Sequence, residues 1–346
     1  MPHSRATRVS SRRPPWRFAT ATLHVVPHTH WDREWYLTFQ ETRIRLVHLV
    51  DRLLDILAAD PGYLHFTLDG QTIVVDDYLA IRPERRAEIE AHVASGRLLV
   101  GPWTVLPDEF LVSAESLVRN LARGSRAARA LGARMEVGYV PDPFGHVGQL
   151  PQILRGFGIE CAAFRRGLGT EPCELEWEAS DGSRVLVAYL RDGYDNAARL
   201  PDEPAAFVAS VRARARSLAP HSAVPLRLLM NGTDHHEPQA ELPGLLAKAR
   251  SDGEDCELST LPAYFEALRA ALRARPAELL VVRGELRDPR RHHLLPGVLS
   301  SRVWIKQAND ACERLLEREV EPLVAWAELL CADQPDRAVL TGHLEV

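Results

Sequence analysis

Near the start of the chain, strand-forming residues 22–26 run into Pro27-His28-Thr29-His30-Trp31-Asp32-Arg33-Glu34-Trp35. Two imidazoles, two carboxylates and two indoles are costly to crowd together unless they do chemistry. Side chains alternate along an extended segment, so His30 and Asp32 point the same way and could hold one cation between them. A polar loop carrying two exposed tryptophans is the competing reading of the same residues.

Such a site needs partners from elsewhere in the chain, and the periodicity of the sequence shows which elements could bring them. Short apolar runs at 22–26, 63–68, 98–100, 137–140, 161–164, 225–230 and 279–282 read as strands, mostly separated by segments of helical period. In residues 41–59, Ile44, Val47, Val50, Leu54 and Leu57 recur at i+3 and i+4, which predicts an amphipathic helix on a sheet. Residues 174–179 and 184–190 flank Asp181-Gly182 and read as a β-hairpin, expected as an insertion outside the main sheet. Regular βα alternation implies a parallel sheet, either open and doubly wound or closed into a barrel.

Polar residues cluster just after the strands. His30 and Asp32 follow the first, Asp69 the second, Trp103 and Asp108 the third, and Asp142 the fourth. Arg165 and Arg166 follow the fifth, Asp234 to Glu237 the sixth and Glu285 to His293 the seventh. In a parallel α/β fold these strand ends converge on one face, where active sites are built.

Residues 299–330 are helical in period with no strand signal. Leu316, Val320, Leu323, Ala327 and Leu330 form an apolar stripe, Glu313, Glu317 and Glu321 a charged one, and Pro322 is expected to kink or divide the helix. The apolar stripe needs cover, either by folding back on the α/β domain or by association into an oligomer. At the other end Arg5, Arg8, Arg12, Arg13 and Arg17 stand without an acid before Phe18, and residues 1–20 read as a disordered basic tail. The net charge is −5 with these arginines included, so the rest of the chain is more acidic still, which does not suggest a nucleic-acid partner. The five cysteines form no C-x-x-C pair, which fits a reducing cytoplasm and gives neither a disulfide framework nor a cysteine zinc site. No apolar run reaches the roughly 18 residues of a membrane span.

Four motifs in order carry a resemblance: His28-Thr29-His30-Trp31-Asp32, Pro141-Asp142-Pro143-Phe144-Gly145-His146, Asn231-Gly232-Thr233-Asp234, and Arg291-His292-His293-Leu294-Leu295-Pro296-Gly297. Together they resemble glycoside hydrolase family 38, the zinc-dependent retaining α-mannosidases. The resemblance covers that family's α/β catalytic domain and the start of its helical domain. It implies a seven-stranded, parallel, barrel-like domain over residues 21–297, and the beginning of a helical domain over 298–346.

The resemblance further implies one zinc ion per chain, held by His30, Asp32, Asp142 and His293, with His292 the alternative fourth ligand. Such a nitrogen and oxygen set suits zinc, with cobalt or manganese able to substitute. Asp142 matches the nucleophile and Asp234 the general acid/base. Retaining hydrolysis requires two carboxyl groups about 5–5.5 Å apart, one ionised and one carrying a proton. Arg166, or Arg165, matches an arginine beside the nucleophile, and Trp35 matches an aromatic floor under the sugar. Asp69, Asp108, Glu109 and Tyr194 are further candidates to bind sugar hydroxyls. The expected substrate is a terminal α-mannoside. Two other readings stay open, a metal-dependent polysaccharide deacetylase and a sugar-binding module without activity.

Overall fold

The computed structural model describes residues 21–169 and 172–330, so the basic tail and residues 331–346 lie outside the described residues. In chain order the elements are β1 (Thr22–Thr29), α1 (Phe39–Ala59), β2 (Phe66–Leu68), α2 (Ile73–Leu79), α3 (Arg86–Ala94), β3 (Leu98–Leu99), α4 (Ala114–Ala130), β4 (Gly138–Val140), α5 (Leu150–Gly156) and β5 (Cys161–Phe164). They continue with β6 (Glu174–Glu178), β7 (Arg184–Tyr189), α6 (Pro204–Leu218), β8 (Leu226–Asn231), α7 (Leu242–Ser251), β9 (Cys256–Leu258), α8 (Leu261–Ala274), β10 (Leu280–Arg283), α9 (Val303–Leu315) and α10 (Glu321–Leu330).

All seven strands expected from the apolar runs are present, along with the α/β alternation. Their closure is not: the described strands form two five-stranded sheets whose ladders do not join into a seven-stranded barrel. One sheet has the order β3-β2-β1-β8 with β9 also paired to β1, every pairing parallel. The other has the order β10-β6-β7-β5-β4. The hairpin of β6 and β7 therefore stands inside the second sheet and is not an insertion: β7 pairs in parallel with β5, and β6 in parallel with β10. Its residues explain this, because Leu175, Trp177, Val185 and Val187 share one face of the hairpin and are fully buried in the same core as Val140, Ala162 and Phe164. Strand β9 escaped the sequence reading because it is three residues long, too short for a period to show.

Strand β1 is buried from Leu23 through Thr29, polar residues included. Helix α1 covers its sheet through Leu46, Val47, Val50, Leu53, Leu54 and Leu57, and Glu41 accepts from the Thr38 backbone N–H and hydroxyl at the first turn. Ile44 falls outside the stripe and is exposed, because the buried face is centred one residue round from it. Among the described residues no helix is long and apolar enough to cross a membrane.

The C-terminal helices dock with their charged side inward. Glu313 accepts from the Ser113 N–H at 3.1 Å and the Ser116 hydroxyl at 2.7 Å, Glu317 accepts from the Ser113 hydroxyl at 2.5 Å, and Glu321 pairs with Arg119. Two acids, Glu313 and Glu317, thus meet the positive end of α4, a favourable arrangement for anions, and Glu321 adds an ion pair one turn further on. Of the expected apolar stripe, Leu316, Leu323 and Leu330 are consequently exposed, while Val320 and Ala327 are half-buried. Pro322 opens α10 after a π-helical turn at Leu316–Val320, the division expected from its missing N–H.

One buried acid gives the fold a pH dependence. Glu174, the first residue of β6, is buried and accepts from the Ala223 N–H at 2.6 Å and the Tyr264 hydroxyl at 2.9 Å. Burial pushes its carboxyl up to about 7 against these donors and nearby Arg227. Because the folded value lies above the unfolded one, its contribution is complete below about pH 4.5 and is lost as pH rises through 7. The loss approaches about 3 kcal/mol by pH 8. Glu174→Gln should flatten the fall in thermal stability between pH 5 and pH 8, and melting curves with the same pH slope in both proteins would contradict this.

Candidate active site

The site grows from the parallel pairing of β1 and β8, which runs from Thr22 opposite Leu226 to Pro27 opposite Asn231. It resumes as a bridge between His30 and Asp234, with the His30 N–H donating to Thr233 O at 3.2 Å and the His235 N–H to His30 O at 2.9 Å. The two chains approach so closely at Gly232 that a Cβ there would lie 1.9 Å from His28 O. Asn231-Gly232 therefore serves close approach as well as turning, and it brings Asp234 beside His30.

His30 is buried and held from behind by Asp69, whose Oδ2 accepts from Nδ1 at 3.1 Å, from the Trp31 N–H at 2.9 Å and from Gln71 Nε2 at 2.9 Å. Asp69 Oδ1 accepts from the Gly70 N–H at 2.8 Å. The carboxylate is fully buried with both oxygens engaged, so it orients His30 and does not face a sugar hydroxyl as the sequence had suggested. With Nδ1 acting as the donor, Nε2 is turned toward Asp32, 3.7 Å from its Oδ1. Burial works against an imidazolium at His30, but Asp69, Asp32 and Asp142 outweigh it and raise the group to about 10. Burial raises the Asp32 carboxyl as well; His30 opposes this, while Asp234 and Asp142 add to it. Carboxylates crowding one buried imidazole make a place where positive charge is favoured.

Asp142 lies at the end of β4. Its Oδ1 accepts from Arg166 Nε at 3.0 Å and Nη2 at 2.7 Å, and Arg165 stands 3.6 Å away. Arg166 also donates to the backbone carbonyl of His293 and lies over the Phe144 ring. Arg165 lies over the Tyr194 ring, and the Tyr194 hydroxyl donates to Asp234 Oδ1 at 2.7 Å. Burial, then Asp142 and Asp234, push the Tyr194 phenol far up, which keeps it a donor. Its backbone carbonyl meets His28 Nε2 at 2.7 Å, and its ring lies 5.3 Å from that of His30. One chain of contacts thus links His30, Asp32, Asp69, Asp142, Arg165, Arg166, Tyr194 and Asp234 across both sheets.

Other candidates stand apart from it. The Trp35 ring packs on Tyr36 at 4.0 Å and is half exposed. The His293 side chain is exposed, while His292 meets Arg191 O at 2.9 Å and accepts a long contact from Arg165. Asp108 is partly buried, and burial raises its carboxyl against the pull of Lys306. His235 was not singled out from the sequence, yet it stacks on Trp31 at 4.4 Å and its Nε2 meets the backbone of Asp32. Its left-handed backbone, φ 52°, leaves no periodic signal to find it by.

His30 and Asp32 offer hard nitrogen and oxygen donors in a setting that favours a cation, and the donor chemistry fits zinc. Among the described residues, no three His, Cys, Asp or Glu side chains come together as a chelating group, so the four-residue ligand set is not gathered.

Residues 20–285 match the model for the glycosyl hydrolases family 38 N-terminal domain. The chain belongs to this family. It is 38% identical over 327 residues to a putative mannosylglycerate hydrolase of Halalkalibacterium halodurans, covering 89% of this chain and 36% of that protein. It is 29% identical over 323 residues to human alpha-mannosidase 2C1, covering 88% of this chain and 29% of that one. Among solved structures, an alpha-mannosidase from Enterococcus faecalis V583 superposes with a TM-score of 0.87 at 35% identity, over 91% of this chain and 36% of the other. The chain spans about a third of the length of these relatives.

Proposed function

We propose that the chain carries the catalytic α/β domain of a metal-dependent retaining glycoside hydrolase acting on terminal α-mannosides. The observation that carries this reading is the contrast between two carboxylates in one network: Asp142 is gripped by Arg166, and Asp234 is held by the Tyr194 hydroxyl. The substrate class is supported by the names of the relatives, which are mannosidases and a mannosylglycerate hydrolase.

In the first half-reaction Asp142 attacks the anomeric carbon while Asp234 gives its proton to the departing oxygen, so the aglycone leaves as an alcohol. The contacts to Asp142 fall on Oδ1, which leaves Oδ2 to attack, and Arg166 fixes the orientation of the carboxylate. Tyr194 fixes Asp234 through Oδ1, leaving Oδ2 to carry the proton. In the second half-reaction Asp234 removes a proton from water, the oxygen attacks the same carbon, and Asp142 is released with configuration retained. His30, Asp32 and Asp142, with His293 or His292, would hold the divalent cation, which when bound would grip sugar hydroxyls and neutralise carboxylate charge. A deacetylase needs metal-activated water and no glycosyl nucleophile, so paired carboxylates with separate supports favour the glycosidase. Three of the cysteines are buried thiols, which supports a reducing cytoplasm as its location.

Turnover of an aryl α-mannoside, lost on chelation and restored by zinc, is the expected result. Release of acetate from an acetylated sugar, with no mannoside cleavage, would replace this reading with the deacetylase.

A further inference from the structure

The motif that carries Asp142 ends in His146, and the mechanism gives His146 no part. Its side chain and that of Glu109 are both fully buried, and Nδ1 donates to Glu109 Oε1 at 2.7 Å. The other carboxylate oxygen accepts from the Val147 N–H at 2.8 Å. Glu109 is therefore closed to a sugar hydroxyl and works inside the protein. The imidazole ring packs on Phe164 at 4.6 Å and Trp177 at 5.9 Å, and its Nε2 has no hydrogen-bond partner.

The backbone at this point is bound as firmly. His146 and Leu286 exchange N–H···O bonds, both 3.0 Å. A Cβ on Gly145 would come within 2.8 Å of Leu286 O, and one on Gly167 within 2.5 Å, so both glycines permit this close approach. The Asp288 N–H then donates to Gly167 O at 3.0 Å. Four loops meet here: the one after β3 bearing Asp108 and Glu109, the one after β4 bearing Asp142, the one after β5 bearing Arg165 and Arg166, and the one after β10 leading to His292 and His293.

From this juxtaposition we infer that Glu109 and His146 are positioning residues, a buried clamp that fixes the Asp142 loop against the loops supplying its arginine and the candidate histidine ligand. The inference rests on the reading of Asp142 as a ligand and nucleophile. A buried carboxylate bonded to both a ring N–H and a backbone N–H resists rotation, and removing it leaves two buried donors unpaired. Asp142 lies four residues before His146, so slack at the clamp is passed to its carboxylate.

Hydrogen exchange on the whole chain, free of metal, tests the clamp directly. Glu109→Ala is expected to speed amide exchange in residues 141–147 and 284–288 at least tenfold, while residues 39–59 of α1 stay within twofold. His146→Leu keeps the apolar contact with Phe164 and Trp177 but loses the bond to Glu109, and should give the same local pattern if Glu109→Ala fails to fold. Glu109→Gln, which can still accept from Val147 and donate to the other tautomer of His146, should recover wild-type exchange within threefold. Unchanged exchange in residues 141–147, or equal acceleration throughout the chain, would overturn the clamp. Zinc titration of wild type and Asp142→Asn judges the underlying reading separately: equal affinities would remove Asp142 from the ligand set, while the exchange result still decides the clamp. If Asp142→Asn weakens zinc, Glu109→Ala is expected to weaken it about tenfold and Glu109→Gln less than threefold.

Discussion

Asp142→Ala is expected to end turnover for every α-mannoside, whereas Asp234→Ala should leave a protein that still reacts with substrates bearing good leaving groups. The difference follows from what each carboxylate contributes. Loss of Asp142 removes the atom that bonds to the anomeric carbon, and it also frees Arg166, whose guanidinium is spent on Asp142 Oδ1 and the His293 carbonyl. Asp69 is locked behind His30 and Asp234 is held by Tyr194, so neither is free to substitute. Loss of Asp234 removes proton transfer, a contribution of about 10²–10⁴-fold. An activated aryl mannoside does not need that proton to depart, so its first step should survive while hydrolysis of the glycosyl-enzyme stalls. Burst kinetics on an activated substrate would show it as one rapid equivalent of phenol followed by slow release. A variant equally slow in both phases would deny Asp234 the role of base.

The second large effect concerns the metal. His30→Ala should abolish tight zinc binding, and Asp69→Asn should weaken it by about 10–100-fold without touching a ligand atom. The reason is tautomeric. Asp69 accepts from Nδ1, which presents Nε2 toward Asp32, and an asparagine there can donate to Nδ1 and turn the lone pair the wrong way. Competition with a chromophoric chelator measures both variants without any need for turnover. Full zinc affinity in His30→Ala would remove β1 from the metal site, while full affinity in Asp69→Asn would reduce Asp69 to a packing residue.

Strands with long apolar runs were legible from sequence, and so was the convergence of polar residues at their C-terminal ends. Residue types two apart just beyond β1 sufficed to single out His30 and Asp32, and the four motifs supplied roles for Asp142 and Asp234. What escaped was tertiary. Nothing local distinguishes a hairpin that sits inside a sheet from one that projects, since both read as two strands about an Asp-Gly turn. Only the parallel pairing of β7 with β5 decides it. Asp69 and Glu109 read as loop acids suited to hydroxyls because burial of a carboxylate depends on its partners, here His30 and His146, which lie 39 and 37 residues away. The acidic stripe on α9 and α10 pointed inward against the usual rule because its partners are the donors at the start of α4, which periodicity cannot show.

In the proposed reaction one carboxylate, Asp142, bonds to the sugar. Incubation with an activated 5-fluoro mannosyl fluoride, followed by proteolysis and mass spectrometry, tests it most directly. A single fluoromannosyl adduct is expected on the peptide containing Asp142, absent from Asp142→Ala and accumulating in Asp234→Ala. An adduct on a peptide without Asp142, or a first-formed sugar of inverted configuration by NMR, would contradict it even in a protein that cleaves mannosides.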